Sequence, residues 1–142
     1  WIDADIVDYP ASLLTRLLAA NETGAAAPLV LVEGEPTWFY DRSAFIMKGM
    51  DQFKPDNPAH ITGRNVINAN DLVGDIVELA CVGALSTVPA SVYHDGTRHE
   101  DHMAFTDHFN VLKKLRDAGE KVVAVTTVTA WHAFLPKYGE NW

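Results

Sequence analysis

The chain has 142 residues, 48 % hydrophobic and 21 % charged, a composition that fits one globular domain and argues against disorder or low-complexity sequence. Its 11 Lys and Arg against 19 Asp and Glu leave a formal charge of −8, which excludes the basic face of a general nucleic-acid binder and means that a phosphate-bearing ligand needs a metal or a local basic patch to neutralise it. A single cysteine, Cys81, rules out an internal disulfide, and no apolar run approaches the ~18–20 residues of a membrane-spanning helix.

The chain begins at Trp1, with no Met and no signal-like leader, and a hydrophobic strand starts at once; this reads as the interior of a longer polypeptide or as one part of a cut one. Residues 1–7, Trp-Ile-Asp-Ala-Asp-Ile-Val, read as a strand that ends in acid. Asp8 is placed to cap a helix opened by Tyr9-Pro10, and Pro10 suits a first turn because its missing N–H would be unsatisfied there anyway. Leu13, Leu14, Leu17 and Leu18 recur at helical spacing as one apolar stripe, and Asn21 and Gly24 end the helix. Residues 28–33 are a short apolar run of a buried strand.

Residues 34–60 hold Gly34, Pro36, Gly49, Pro55 and Pro58 among the aromatics Trp38, Phe39, Tyr40, Phe45 and Phe53, and read as a long irregular segment of the functional kind. Residues 76–88 read as one or two strands around Gly83, followed by a short helical turn at 89–93. Residues 94–108 are polar and carry His94, His99, His102 and His108. A helix is expected over 107–118, with Phe109, Leu112 and Leu115 inward, Lys113, Lys114 and Arg116 toward its C-terminal end, and Gly119 just past it. The β-branched run 121–128 reads as a strand. Neither an internal repeat nor a linker interrupts the chain, and the order of elements predicts an α/β fold with residues 1–142 as a single domain or half-domain.

Asp3-Ala4-Asp5 is the first pattern with chemistry in it. In extended backbone, residues two apart point to the same side, so two carboxylates at the end of a buried strand can share a divalent cation; two solvated acids at a strand end give the same letters. Strand, D-x-D, then helix is also where open α/β sheets place ligands. An aspartyl phosphatase motif does not fit, because Asp5 is followed by Ile6-Val7. His132, just beyond the last expected strand, is either a hydrogen-bonded histidine or a third metal ligand, since imidazole with carboxylate suits Mn²⁺. His99-Glu100-Asp101 with the distant His132 has the makings of a two-His-one-carboxylate iron site of an oxygenase, but that site normally sits in a β-barrel. Asp107 is either a helix cap or an acid presented to substrate, and Gly83-Ala84 is either a strand bulge or a place where a ligand approaches the backbone closely.

In order along the chain, these pieces resemble the GT-A fold glycosyltransferases, and among them the fungal mannan-polymerase type of mannosyltransferase. Trp1-Ile-Asp-Ala-Asp-Ile-Val is similar to that family's W-[LI]-D-[AS]-D-[IV]-[VE] region, and Tyr40-Asp41-Arg42-Ser43-Ala44 to its Y-D-R-N-A segment. Val82-Gly83-Ala84 resembles its V-G-G strand, and the run from Asp107-His108-Phe109 to Arg116-Asp117-Ala118-Gly119 its E-[DT]-x-x-[FL] … L-R-x-x-G helix. Ala130-Trp131-His132 resembles the closing V-x-H. Ala84 stands in place of a glycine, and Asp107-His108 in place of Glu-Asp or Glu-Thr.

The resemblance implies a Rossmann-like nucleotide-diphospho-sugar transferase fold, of which this chain is the metal- and acceptor-side half of a mixed sheet flanked by helices. It implies that Asp3, Asp5 and His132 hold Mn²⁺ or Mg²⁺, that Asp3, Gly83 and Ala84 face a nucleotide-sugar donor, and that Glu100, Asp101 or Asp107 lies near a glycan or small-molecule acceptor. It also implies a companion polypeptide for the half of the domain that holds base and ribose, which precedes D-x-D in the family. The expected reaction is transfer of a hexose, mannose at the family level, with retention. A non-catalytic subunit of a larger complex is the rival expectation. As to compartment, the lone cysteine fits a reducing one, whereas enzymes of this type work in the secretory pathway.

Overall fold

Val-Val-Ala-Val-Thr-Thr-Val-Thr-Ala-Trp-His, residues 122–132, alternates side chains between two apolar surroundings and forms the longest strand of the sheet. A computed structural model describes residues 1–48, 67–94, 96 and 109–134. Their strands and helices are β1 (Ile6–Asp8), α1 (Leu13–Ala20), β2 (Ala25–Val32), β3 (Glu35–Phe39), β4 (Ile46–Met47), β5 (Ile76–Cys81), α2 (Phe109–Asp117) and β6 (Val122–His132). Short 3₁₀ turns lie at Tyr40–Ser43, Ala69–Asp71 and Ala90–Tyr93, the last in the place of the expected helical turn.

The six strands form one mixed sheet in the order β3-β2-β6-β5-β4, with β1 also paired to β6. Only β2 and β6 run parallel; the other pairs are antiparallel. Between Pro28 and Leu29 the register of β2 against β6 jumps from Val125 to Thr129. Pro28 has no N–H to give to the ladder, so an interior proline is tolerated where the pairing is interrupted. Thr126 is held on the other side by hydrogen bonds to Asp75 and Gly74.

Two apolar layers cover the sheet. Ala25, Ala27, Val122 and Ala124 face a core with Val111, Leu112 and Leu115 of α2, whereas Ala26, Val30, Val123, Val125, Val128 and Ala130 face Leu13 and Leu17 of α1. Burial on both faces explains why β2 reads as a continuous apolar run. The fold is therefore α/β, a mixed sheet with a helix on each side.

Several expectations need correcting. The first helix starts at Leu13 with Ser12 as its N-cap, and Asp8 belongs to β1, so Asp8 does not cap it. Leu13 and Leu17 are buried but Leu14 and Leu18 are exposed, because the apolar stripe is narrower than the four leucines. Of the segment 34–60, residues 49–60 lie outside the described residues, and 34–48 are not irregular throughout. Gly34, at φ +80°, closes a hairpin between β2 and β3, and Pro36 is accommodated because β3 is an edge strand. Of the one or two strands expected over 76–88 around Gly83, β5 forms the part before the glycine, ending at Cys81, and only isolated bridges at Leu85 and Thr87 follow it. Gly119, at φ +87°, follows α2 with its N–H on the Arg116 carbonyl.

Candidate functional site

The strand expected over residues 1–7 is broken at Asp3-Ala4-Asp5. Residues 1–3 lie along 84–86: Trp1 exchanges hydrogen bonds with Ser86, Ile2 bridges Leu85, and the Asp3 N–H donates to the Ala84 carbonyl at 2.9 Å. The chain then turns, with the Ile6 N–H on the Asp3 carbonyl at 3.2 Å, and continues as β1 against β6. The two carboxylates therefore belong to two different pairings and are not neighbours on one side of an extended strand. Asp3 Oδ1 accepts from the Trp1 indole N–H at 2.7 Å, and Asp5 Oδ1 lies 2.9 Å from His132 Nε2.

His132 is the last residue of β6 rather than a residue beyond the strand, and it is fully buried. Its place opposite Asp5 is set by backbone: Ile6 pairs with His132, and the Ala133 N–H donates to the Asp5 carbonyl at 2.8 Å. A carbonyl only accepts, so the 2.8 Å contact between His132 Nδ1 and the Ala133 carbonyl puts a proton on Nδ1. In the neutral ring, Nε2 is then a lone pair facing the Asp5 carboxylate. Either a second ring proton or a cation between the two acceptors makes that arrangement favourable. Imidazole with carboxylate is a donor set that suits Mn²⁺ and similar ions. The Tyr40 ring stacks on the imidazole, centroids 3.7 Å apart and planes 16° from parallel, and fixes its orientation from the side.

The implied donor-side residues Asp3, Gly83 and Ala84 do come together, and they bring in Asp41 of the Tyr40–Ala44 segment, to which the sequence assigns no role. Asp41 is buried, and its Oδ1 accepts the Ala84 N–H at 3.0 Å. A Cβ on Gly83 would stand 2.6 Å from the Ala44 Cβ and closer still to Asp41 Oδ1, so the space beside this glycine is taken by the chain's own side chains. Burial pushes the Asp41 carboxyl up from 3.8 to about 7; the Ala84 N–H works against that rise, and the nearby Asp3 charge adds to it. Asp41 lies in the 3₁₀ turn just after β3.

Among the described residues no group of three His, Cys, Asp or Glu side chains is placed to hold a metal ion. Asp5 and His132 form a pair, and Asp3 turns one oxygen to Trp1 instead of joining them. Glu100, Asp101 and Asp107, together with His99, His102 and His108, lie outside the described residues. The sequence matches no protein-family model, and no curated protein gives a significant match.

Proposed function

We propose that this chain is the metal- and acceptor-side part of a GT-A fold glycosyltransferase, one that moves a hexose from a nucleotide-diphosphate sugar to an acceptor hydroxyl with retention. The observation that carries this reading is the Asp5–His132 pair: Asp5 Oδ1 and His132 Nε2 lie 2.9 Å apart, with His132 Nδ1 turned to the Ala133 carbonyl, at the end of the central strand. The mixed α/β sheet and the ordered resemblance along the chain support it. In this reading Asp5 and His132 would hold Mn²⁺ or Mg²⁺, with Asp3 joining them only on leaving the Trp1 indole, and the cation would supply charge to offset that growing on the diphosphate leaving group. Asp3, Gly83 and Ala84 line the donor side, and Glu100, Asp101 or Asp107 serves the acceptor hydroxyl. The base and ribose of the donor are held by a companion segment or polypeptide.

The test is Mn²⁺-dependent transfer from GDP-mannose, the first donor to try, by the chain together with that companion. Asp5→Ala and His132→Ala are expected to abolish transfer while leaving the sheet folded. Full activity in both variants overturns the reading.

A second reading, a non-catalytic subunit, is favoured by one observation. Leu14 and Leu18 share a face of α1 and are 60 % and 43 % exposed. The native mass of the purified particle, with every polypeptide identified, separates the two. A companion that binds without conferring nucleotide-sugar transfer in the presence of Mn²⁺ favours the subunit.

A further inference from the structure

We propose that Tyr40 and Asp41 are positioning residues that together set the spacing between Asp3 and the Asp5–His132 pair; the role rests on the metal-site reading above. The two are consecutive, yet each reaches a different arm of the site. Tyr40 lies flat on His132 at 3.7 Å, on the arm built by β1 and β6. Asp41 takes the Ala84 N–H, and the Ala84 carbonyl in turn takes the Asp3 N–H, on the arm built by residues 1–3 and 84–86. Asp3 and Asp5, with a turn between them, are thus braced from one dipeptide on the far side.

The brace is stiff. The Asp41 carbonyl accepts both the Ala44 and the Phe45 N–H at 2.9 Å, which fixes the 3₁₀ turn. On either side of that turn, Phe39 and Phe45 are buried and meet edge to face, centroids 5.0 Å apart and planes at 83°. Gly83 packs against the carboxylate with no room for a side chain, so the contact at Ala84 has little slack.

An acid is an expensive way to fill this place. Asp41 Oδ2 is buried and meets no hydrogen-bond donor among the described residues. Leaving a buried polar atom unsatisfied costs stability, and an apolar side chain would fill the space without that cost. What only a short side-chain acceptor supplies here is the bond to Ala84. The aspartate is explained by what it holds rather than by packing.

The test uses the 142-residue chain and Mn²⁺ alone as probe, with amide hydrogen exchange as a readout that needs no metal. Asp41→Ala removes the acceptor, Asp41→Asn restores one, Tyr40→Leu removes the stacked ring and Tyr40→Phe keeps it. Asp41→Ala is expected to weaken Mn²⁺ binding about tenfold and to speed exchange at the Ala84 and Asp3 amides by a similar factor, the scale of one lost buried hydrogen bond, with Leu29–Val32 unchanged. Asp41→Asn is expected to restore both. Tyr40→Leu is expected to weaken Mn²⁺ binding while leaving Ala84 exchange at its wild-type rate, and Tyr40→Phe to bind as wild type. Should Asp41→Ala not fold, the Tyr40 pair and Asp41→Asn carry the test. Wild-type Mn²⁺ affinity in Tyr40→Leu, or in a folded Asp41→Ala, overturns the proposal. A wild-type chain that binds no Mn²⁺ overturns the metal reading instead; the brace is then judged on Ala84 and Asp3 exchange in Asp41→Ala against Asp41→Asn, and unchanged rates overturn it.

Discussion

Asp5 Oδ1 and His132 Nε2 stand 2.9 Å apart because β1 meets β6 in a register that sets Ile6 opposite His132 and sends the Ala133 N–H to the Asp5 carbonyl. Backbone pairing, not attraction between the side chains, makes the contact. The two partners should therefore contribute unequally to stability. His132→Ala removes a fully buried ring, its stack on Tyr40 and its bond to the Ala133 carbonyl, and is expected to cost about 2–4 kcal/mol. Asp5, with 40 % of its side chain exposed, is expected to cost under about 1 kcal/mol as alanine. Urea unfolding of the two variants measures the difference, and equal losses would mean that the side-chain pair itself holds β1 in place.

Asp41 gives the chain a pH dependence of known sign. Its carboxyl is raised from 3.8 to about 7, first by burial, so across that interval the folded chain keeps a proton that the unfolded chain has released. The stability linked to this group is fully present below the unfolded value and is lost as pH rises through about 7. The loss is on the order of 4 kcal/mol over the whole interval. Asn resembles the protonated acid and does not titrate. Asp41→Asn is expected to match wild type near about pH 4 and to be the more stable protein near about pH 8. Thermal unfolding of both across that range is the measurement, and parallel curves would show that Asp41 does not titrate in this interval.

Gly83 tests how closely the sheet approaches Asp41. A methyl group there meets Ala44 Cβ at 2.6 Å, which cannot move without its backbone, and overlaps Asp41 Oδ1, which is held by the Ala84 N–H. Gly83→Ala is expected to cost about 1–3 kcal/mol, the usual scale of overpacking a filled site. It should also speed exchange at the Ala84 amide, because the carboxylate must back away from it. A destabilised chain with a still-protected Ala84 amide would locate the strain at Ala44 alone.

What the sequence conveyed depends on how local the physics is. The runs 28–33 and 121–128 are β-branched and apolar enough to be read as strands, and Leu112 and Leu115 mark the buried side of α2. The hairpin at Gly34 escaped because Pro36 reads as a strand breaker, and only the sheet order shows that β3 is an edge where proline is harmless. Asp3 and Asp5 were legible as residues of interest, but not their division between two pairings, which needs the partners at 84–86 and at 132. Asp41 was illegible as a buried acid, since nothing nearby in the chain distinguishes it from a solvated one. His132 was visible as a candidate, whereas the proton on its Nδ1 follows from the Ala133 carbonyl and so only from coordinates.

Helix α1 offers the sharpest contrast between pattern and packing. Leu13, Leu14, Leu17 and Leu18 look equivalent at helical spacing, yet Leu17 is 1 % exposed against Ala26, Val30 and their neighbours while Leu14 is 60 % exposed. Leu17→Ala is expected to cost about 2–5 kcal/mol, the transfer of a buried side chain plus the cavity left behind. Leu14→Ala should stay within about 0.5 kcal/mol in the isolated chain, because its side chain is already largely in water and alanine favours the helix. The same Leu14→Ala change becomes informative in the assembled particle. If the exposed leucine face of α1 is covered there, Leu14→Ala weakens assembly while leaving the isolated chain's unfolding curve unchanged. Denaturant titration of the chain and the native mass of the particle read the two effects separately, and a Leu14→Ala chain that assembles like wild type would leave that face to solvent.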